Sequence, residues 1–238
     1  MSDTMDTAEA ANRTMRTPAL VAGVGILLLA ALAGFAYVGA INGLVAEGSA
    51  TETARDILAS EGLFRFAIAA LVLVAVLDVI VAWALLEFFK VAHKGVSTLA
   101  AWLRISYAAV FAVAISQLLG TLHLLSGAQY LTTFSADQLH AEALLKINAF
   151  LDVWNVGLVL FGLHLLLIGY LAYGSGDVPK LVGVLVAIAG VGYLVDSFGA
   201  FLVSGYSANV GAFTSFGELL LALWLVVKGG SVASNRQR

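Results

Sequence analysis

Four ionisable side chains interrupt stretches that are otherwise hydrocarbon, and they are where this chain could do chemistry. Asp78, His164, Asp196 and Glu218 each lie inside a long apolar run. Charge in the middle of a bilayer is expensive, so such groups usually turn inward, pair with one another and mark ion or proton pathways. The chemistry on offer is therefore proton exchange or ion binding at a shared polar site. The competing expectation is four isolated, uncharged groups, each bonded to backbone or to Ser and Tyr partners. Secondary candidates flank them. Arg65 tops the second run and Arg104 lies toward the inner end of the third, with His123 and Asp152 near the outer surface. Asn155 joins Asp152 and Trp154 in a polar cluster at the outer mouth of the fourth run.

Other chemistries find no support in the pattern. A zinc site needs converging ligands, commonly paired at helical spacing. No His-Glu-x-x-His occurs, and His93, His123, His140 and His164 scatter among connections and run interiors. Axial haem ligands should share a depth, whereas several helical turns separate His123 from His164. Ser116 shares a face with His123, but two turns apart is too far for a nucleophile and its base. A phosphate loop ending in Gly-Lys-Ser/Thr is absent, and Gly190-x-Gly192 reads as helix packing. No lysine lies within an apolar run to carry retinal, and with no cysteine there is no thiolate chemistry. No catalytic residue, cofactor or metal is expected.

The elements that must position these groups are six apolar runs, at 19–41, 66–89, 99–125, 150–173, 181–203 and 210–227. A helix needs about 20 mostly apolar residues to cross a hydrocarbon core of about 30 Å. Composition agrees: 61% of residues are hydrophobic and only 11% charged, against about 25% charged in soluble domains. The expected fold is all-α, a polytopic integral membrane protein with a six-transmembrane-helix bundle. A polar tail (1–18) precedes the membrane domain (19–227), and a short tail (228–238) follows it. The first run, about 23 residues, exceeds the 7–15 of a signal-peptide core, so it is expected to remain as a membrane helix. The net charge of −3 and the lack of a basic stripe argue against a nucleic-acid partner.

Lys and Arg set orientation. With a cytoplasmic amino terminus, the inner segments hold Arg13, Arg16, Lys90, Lys94, Lys180, Lys228, Arg236 and Arg238, against Arg55, Arg65 and Lys146 outside. Both termini are therefore expected in the cytoplasm and the protein in the cell (inner) membrane, with the lipid bilayer as its first partner. Thr53 with Asp56 suggests a capped helix in the first outer gap, and Ser135 with Gln138 makes a capping box that opens one helix over 135–173. Short inner connections are expected at 90–97 and 174–180. Small residues line helix faces: Gly162 and Gly169 in the fourth run, Gly183, Ala187 and Gly190 in the fifth. Such faces permit close helix contact in lipid, or binding of a membrane-protein partner or a second copy. Trp102, Tyr107, Tyr130, Trp154, Tyr173, Tyr206 and Trp224 fall mostly near run ends as an interfacial belt, while Trp83 is expected to pack internally.

The stretch 169–197, which opens Gly-Tyr-Leu-Ala-Tyr-Gly-Ser-Gly-Asp-Val-Pro-Lys and closes Gly-Tyr-Leu-Val-Asp-Ser, resembles the bacterial membrane family catalogued as domain of unknown function 4386. Phe64-Arg65, Asp78, Trp102-Leu103-Arg104 and Gly162-Leu163-His164 carry the same likeness, which spans roughly residues 20 to 227. The resemblance implies a six-helix integral membrane protein and no particular activity. Three classes of function stay open. One is a regulatory or structural membrane component; the second is a transporter or channel for a proton, ion or small solute. The third, an intramembrane enzyme acting on lipid, lacks the paired acidic motifs that would hold metal and phosphate.

Overall fold

Hydrocarbon offers the backbone no hydrogen-bond partners, so a spanning segment must satisfy its own amides, and a helix does so. In a computed structural model, which describes the backbone of residues 2–235 and the side chains of residues 16–229, every regular element is helical. The main helices are α1 (Ser2–Ala33), α2 (Ala50–Ala59), α3 (Glu61–Leu124), α4 (Ala136–Gly174), α5 (Lys180–Leu202), α6 (Val210–Thr214) and α7 (Phe216–Asn235). Among the described residues five helical segments are long and apolar enough to cross a membrane: Arg16–Leu44, Glu61–Leu124, Ala136–Gly174, Lys180–Leu202 and Val210–Gly229. The first is α-helical to Ala33 and then widens into a π-helix over Gly34–Ile41.

Helix α3 is 64 residues long. Straight, it would measure about 96 Å at 1.5 Å per residue, some three times a hydrocarbon core. It is not straight. His93 leaves helical geometry (φ −160°, ψ 98°), and eleven residues' separation does not stop Ser97 Oγ from donating to the Leu86 carbonyl at 3.1 Å. The chain reverses there, so the expected connection over 90–97 contracts to one residue. His93 starts the second limb itself, its Nδ1 accepting the Val96 N–H at 3.2 Å as an N-cap would.

Two further expectations, the cap of α2 and the packing of Trp83, need correction. The cap of α2 is Ser49, whose Oγ accepts the Glu52 N–H at 3.2 Å. Thr53 is instead buried one turn in, where its hydroxyl accepts the Ala46 N–H at 3.0 Å. The run at 210–227 lies within one spanning segment, Val210–Gly229, in which the single turn residue Ser215 (φ −59°, ψ −17°) separates α6 from α7. Trp83 is 50% exposed. It falls outside the stripe formed by Leu71, Val74, Asp78, Val81, Ala82 and Leu85, which is buried at helical spacing. The Ser135 capping box is as expected: Gln138 N–H donates to Ser135 Oγ at 3.3 Å, and Ser135 N–H to Gln138 Oε1 at 2.9 Å.

The chain divides into two compact units, one from Met1–Leu29, Leu77–Ala108 and Gly157–Arg238, the other from Ala30–Val76 and Ala109–Val156. The second unit is organised around aromatic rings, with Trp154 5.1 Å from Tyr37, 5.2 Å from Phe111 and 5.4 Å from Phe150. In the first unit α4 and α5 touch backbone to backbone. A Cβ on Gly169 would lie 2.7 Å from the Gly183 carbonyl oxygen, and one on Gly190 would lie 2.6 Å from that of Gly162. The glycines spaced along both helices are what allow that crossing.

Candidate functional site

Three sequence-distant helices of the first unit deliver charged groups to one point. The first limb of α3 carries Asp78 in its buried stripe, and the reversal at His93 returns the second limb with Arg104 opposite. Helix α4 brings His164 between the buried residues Phe161 and Ile168, and α7 brings Glu218 in its first turn.

Arg104 is the hub. Its Nε and Nη2 both donate to Asp78 Oδ1, at 2.9 and 2.7 Å. Its Nη1 lies 3.2 Å from His164 Nε2 and donates to Glu218 Oε1 at 3.4 Å. The guanidinium also lies over the Phe161 ring, 5.1 Å from its centroid, and Tyr107 and Tyr193 pack that ring at 4.9 and 5.3 Å. The Arg104 side chain is 2% exposed, Asp78 3% and Glu218 14%.

The partners of His164 fix its tautomer. Nδ1 faces the Ala100 carbonyl oxygen at 2.9 Å, and a carbonyl can only accept, so Nδ1 carries the hydrogen. Nε2 faces a guanidinium, which can only donate, so it presents its lone pair. The imidazole is thus held neutral between one donor and one acceptor. That leaves two carboxyls around one cation. With both carboxyls ionised the cluster carries one net negative charge in surroundings that solvate charge poorly.

Asp196 does not join the other three. Its Oδ1 accepts the Val210 N–H at 3.0 Å and the Tyr206 hydroxyl at 2.8 Å, and its Oδ2 accepts the Gly211 N–H at 2.6 Å. This acid caps α6 and ties the 203–209 connection to α5. The hydrogen bond to Asp196 holds the Tyr206 phenol above its usual pKa. Arg65 pairs with Glu61 at 2.7 Å on an exposed face. His123 and Asp152 are exposed and Asn155 is half-buried, all three belonging to the other unit. Among the described residues, no three metal-binding side chains gather to hold an ion.

The site's centre is Arg104, only a secondary candidate by sequence. Arg104 stands near the start of an apolar run, where an arginine ordinarily reaches out toward the headgroups. Only the one-residue reversal at His93 places it level with Asp78.

A family model described as "Domain of unknown function (DUF4386)" matches residues 21–229. An "Uncharacterized protein" of Archaeoglobus fulgidus is 36% identical over 164 residues, which cover 69% of this chain and 84% of that one. No solved structure matches.

Proposed function

Since the chain belongs to the DUF4386 family, whose function is unknown, we propose its role from the cluster itself: a regulatory or structural component of the cell membrane. The observation that carries this reading is how Arg104 spends its donors. Nε, Nη1 and Nη2 are all turned to groups of the protein, which come from three sequence-distant helices. A solute site presents its charge to a ligand, whereas this one presents charge to neighbouring helices. Breaking such a buried pair costs about 3–5 kcal/mol, enough to hold one helix arrangement over another.

On this reading the membrane is crossed six times: by the first helix, by each limb of α3, by α4, by α5, and by α6 with α7. The Lys and Arg distribution favours both termini on the cytoplasmic side. The small-residue faces and exposed apolar helix surfaces suit a membrane-protein partner or a second copy. The test is purification from native membrane in mild detergent. A stoichiometric companion or a stable oligomer is expected, and recovery of the chain alone as a monomer contradicts the proposal.

The charge imbalance favours a second reading, a transporter or channel for a proton, ion or small solute. Reconstituted Asp78→Asn and Glu218→Gln proteins would then lose flux while keeping their helix content. Unchanged flux in both removes this alternative.

A further inference from the structure

We infer that Glu218 is a binding site for one exchangeable proton, taken up and released while Asp78 stays ionised against Arg104. The inference deepens the proposal above, since it rests on the cluster being the functional centre.

The charge count requires a balancing proton or a standing negative charge, and the geometry says where the proton goes. Asp78 receives two short bonds from Arg104 through one oxygen. Glu218 receives one, at 3.4 Å, near the outer limit for a hydrogen bond. Ionised Asp78 is therefore well compensated and ionised Glu218 poorly so. Glu218 is also the more accessible, its side chain 14% exposed against 3% for Asp78.

The other groups facing the cluster cannot take the proton. A proton on His164 Nε2 would set an N–H against the guanidinium N–H and lose the bond now made there. Tyr193, packed on Phe161, already carries its phenolic hydrogen. Asp196 uses both oxygens on Val210, Gly211 and Tyr206. The step is simple proton association: a hydronium gives its proton to a Glu218 carboxylate oxygen and leaves as water. The cluster then sums to zero, and the ionic part of the tie between α7 and Arg104 is lost. Glu218 lies three residues beyond Ser215, the turn residue between α6 and α7, and its own N–H donates to the Ser215 carbonyl at 3.0 Å. The proton therefore acts within one turn of the residue where α6 gives way to α7.

Infrared difference spectroscopy tests this on the full chain in phosphatidylcholine vesicles titrated through the neutral range. Exposed carboxyls ionise at about pH 4, so a protonated-carboxyl stretch that disappears at higher pH reports a buried acid. About one such carboxyl per chain is expected. It should be absent in Glu218→Gln, shifted in frequency or midpoint in Glu218→Asp, and unchanged in Asp196→Asn. A band that survives Glu218→Gln, stays unmoved in Glu218→Asp, or vanishes in Asp196→Asn overturns the assignment. Should Glu218→Gln fail to fold, judged by helical circular dichroism, the Glu218→Asp band decides alone. A companion protein without this band sinks the proton site and leaves the regulatory proposal standing; the band without a companion does the reverse.

Discussion

His164 shows how little freedom a side chain retains once both of its polar atoms are matched. Its Nδ1–H satisfies the Ala100 carbonyl and its Nε2 lone pair receives Arg104. His164→Leu keeps the volume and loses both bonds, leaving Arg104 Nη1 short of an acceptor. An unfolding midpoint in detergent should fall by the equivalent of about 1–3 kcal/mol. His164→Gln can donate and accept at once and should recover much of that. Equal losses in the two variants would mean packing, and not hydrogen bonding, sets the effect. Tyr206 offers a titration outside the apolar segments. Its hydroxyl donates to Asp196, which raises its pKa in the folded protein above the unfolded value. The stability it adds is therefore full below the ordinary tyrosine range and is lost as pH rises through the folded value. Absorbance titrations of the wild type and of Tyr206→Phe should differ by one tyrosine that ionises above the ordinary range; a difference curve centred in the ordinary range would contradict the contact.

Elements are held by surfaces that the sequence shows unequally. The glycine faces were legible, because small residues seven apart on α4 and on α5 have little other use within a membrane run. Gly169→Leu should push the helices apart and cost about 1–3 kcal/mol, since even a Cβ there meets backbone at 2.7 Å. Gly62→Ala is the control: it meets nothing within 4 Å inside a helix and should stabilise by up to about 1 kcal/mol. Similar outcomes for the two would refute the close crossing. The reversal of α3 was not legible as a single residue. Histidine is not a favoured N-cap, and the polar stretch around it suggested a longer loop. The turn residue at Ser215 was hidden because apolar residues continue on both sides of it, and the cap of α2 because Ser49 and Thr53 are both plausible cap residues. Asp78, His164 and Glu218 could be singled out by hydropathy alone. Their convergence, the separation of Asp196 and the centrality of Arg104 depend on where α3 turns, which no residue pattern states.

At the scale of the whole molecule, the helices are sized for a bilayer, and the proposed six crossings return the chain to its starting side. The absence of native cysteine makes this easy to probe. Single cysteines beside His93 and Gly176 should react with an impermeant reagent from the cytoplasmic side, and cysteines at Gly48 and Gly127 from the outside. Labels that place His93 and Gly48 on one side would contradict the path. Arg104 binds the helices together through its buried acids, and a double-mutant cycle of Arg104→Gln and Asp78→Asn measures that most directly. Arg104→Gln alone leaves Asp78 buried without its cation and should cost about 3–5 kcal/mol, while the double variant should lose clearly less than the sum of the two single losses. Additive losses would mean that the two side chains do not hold each other.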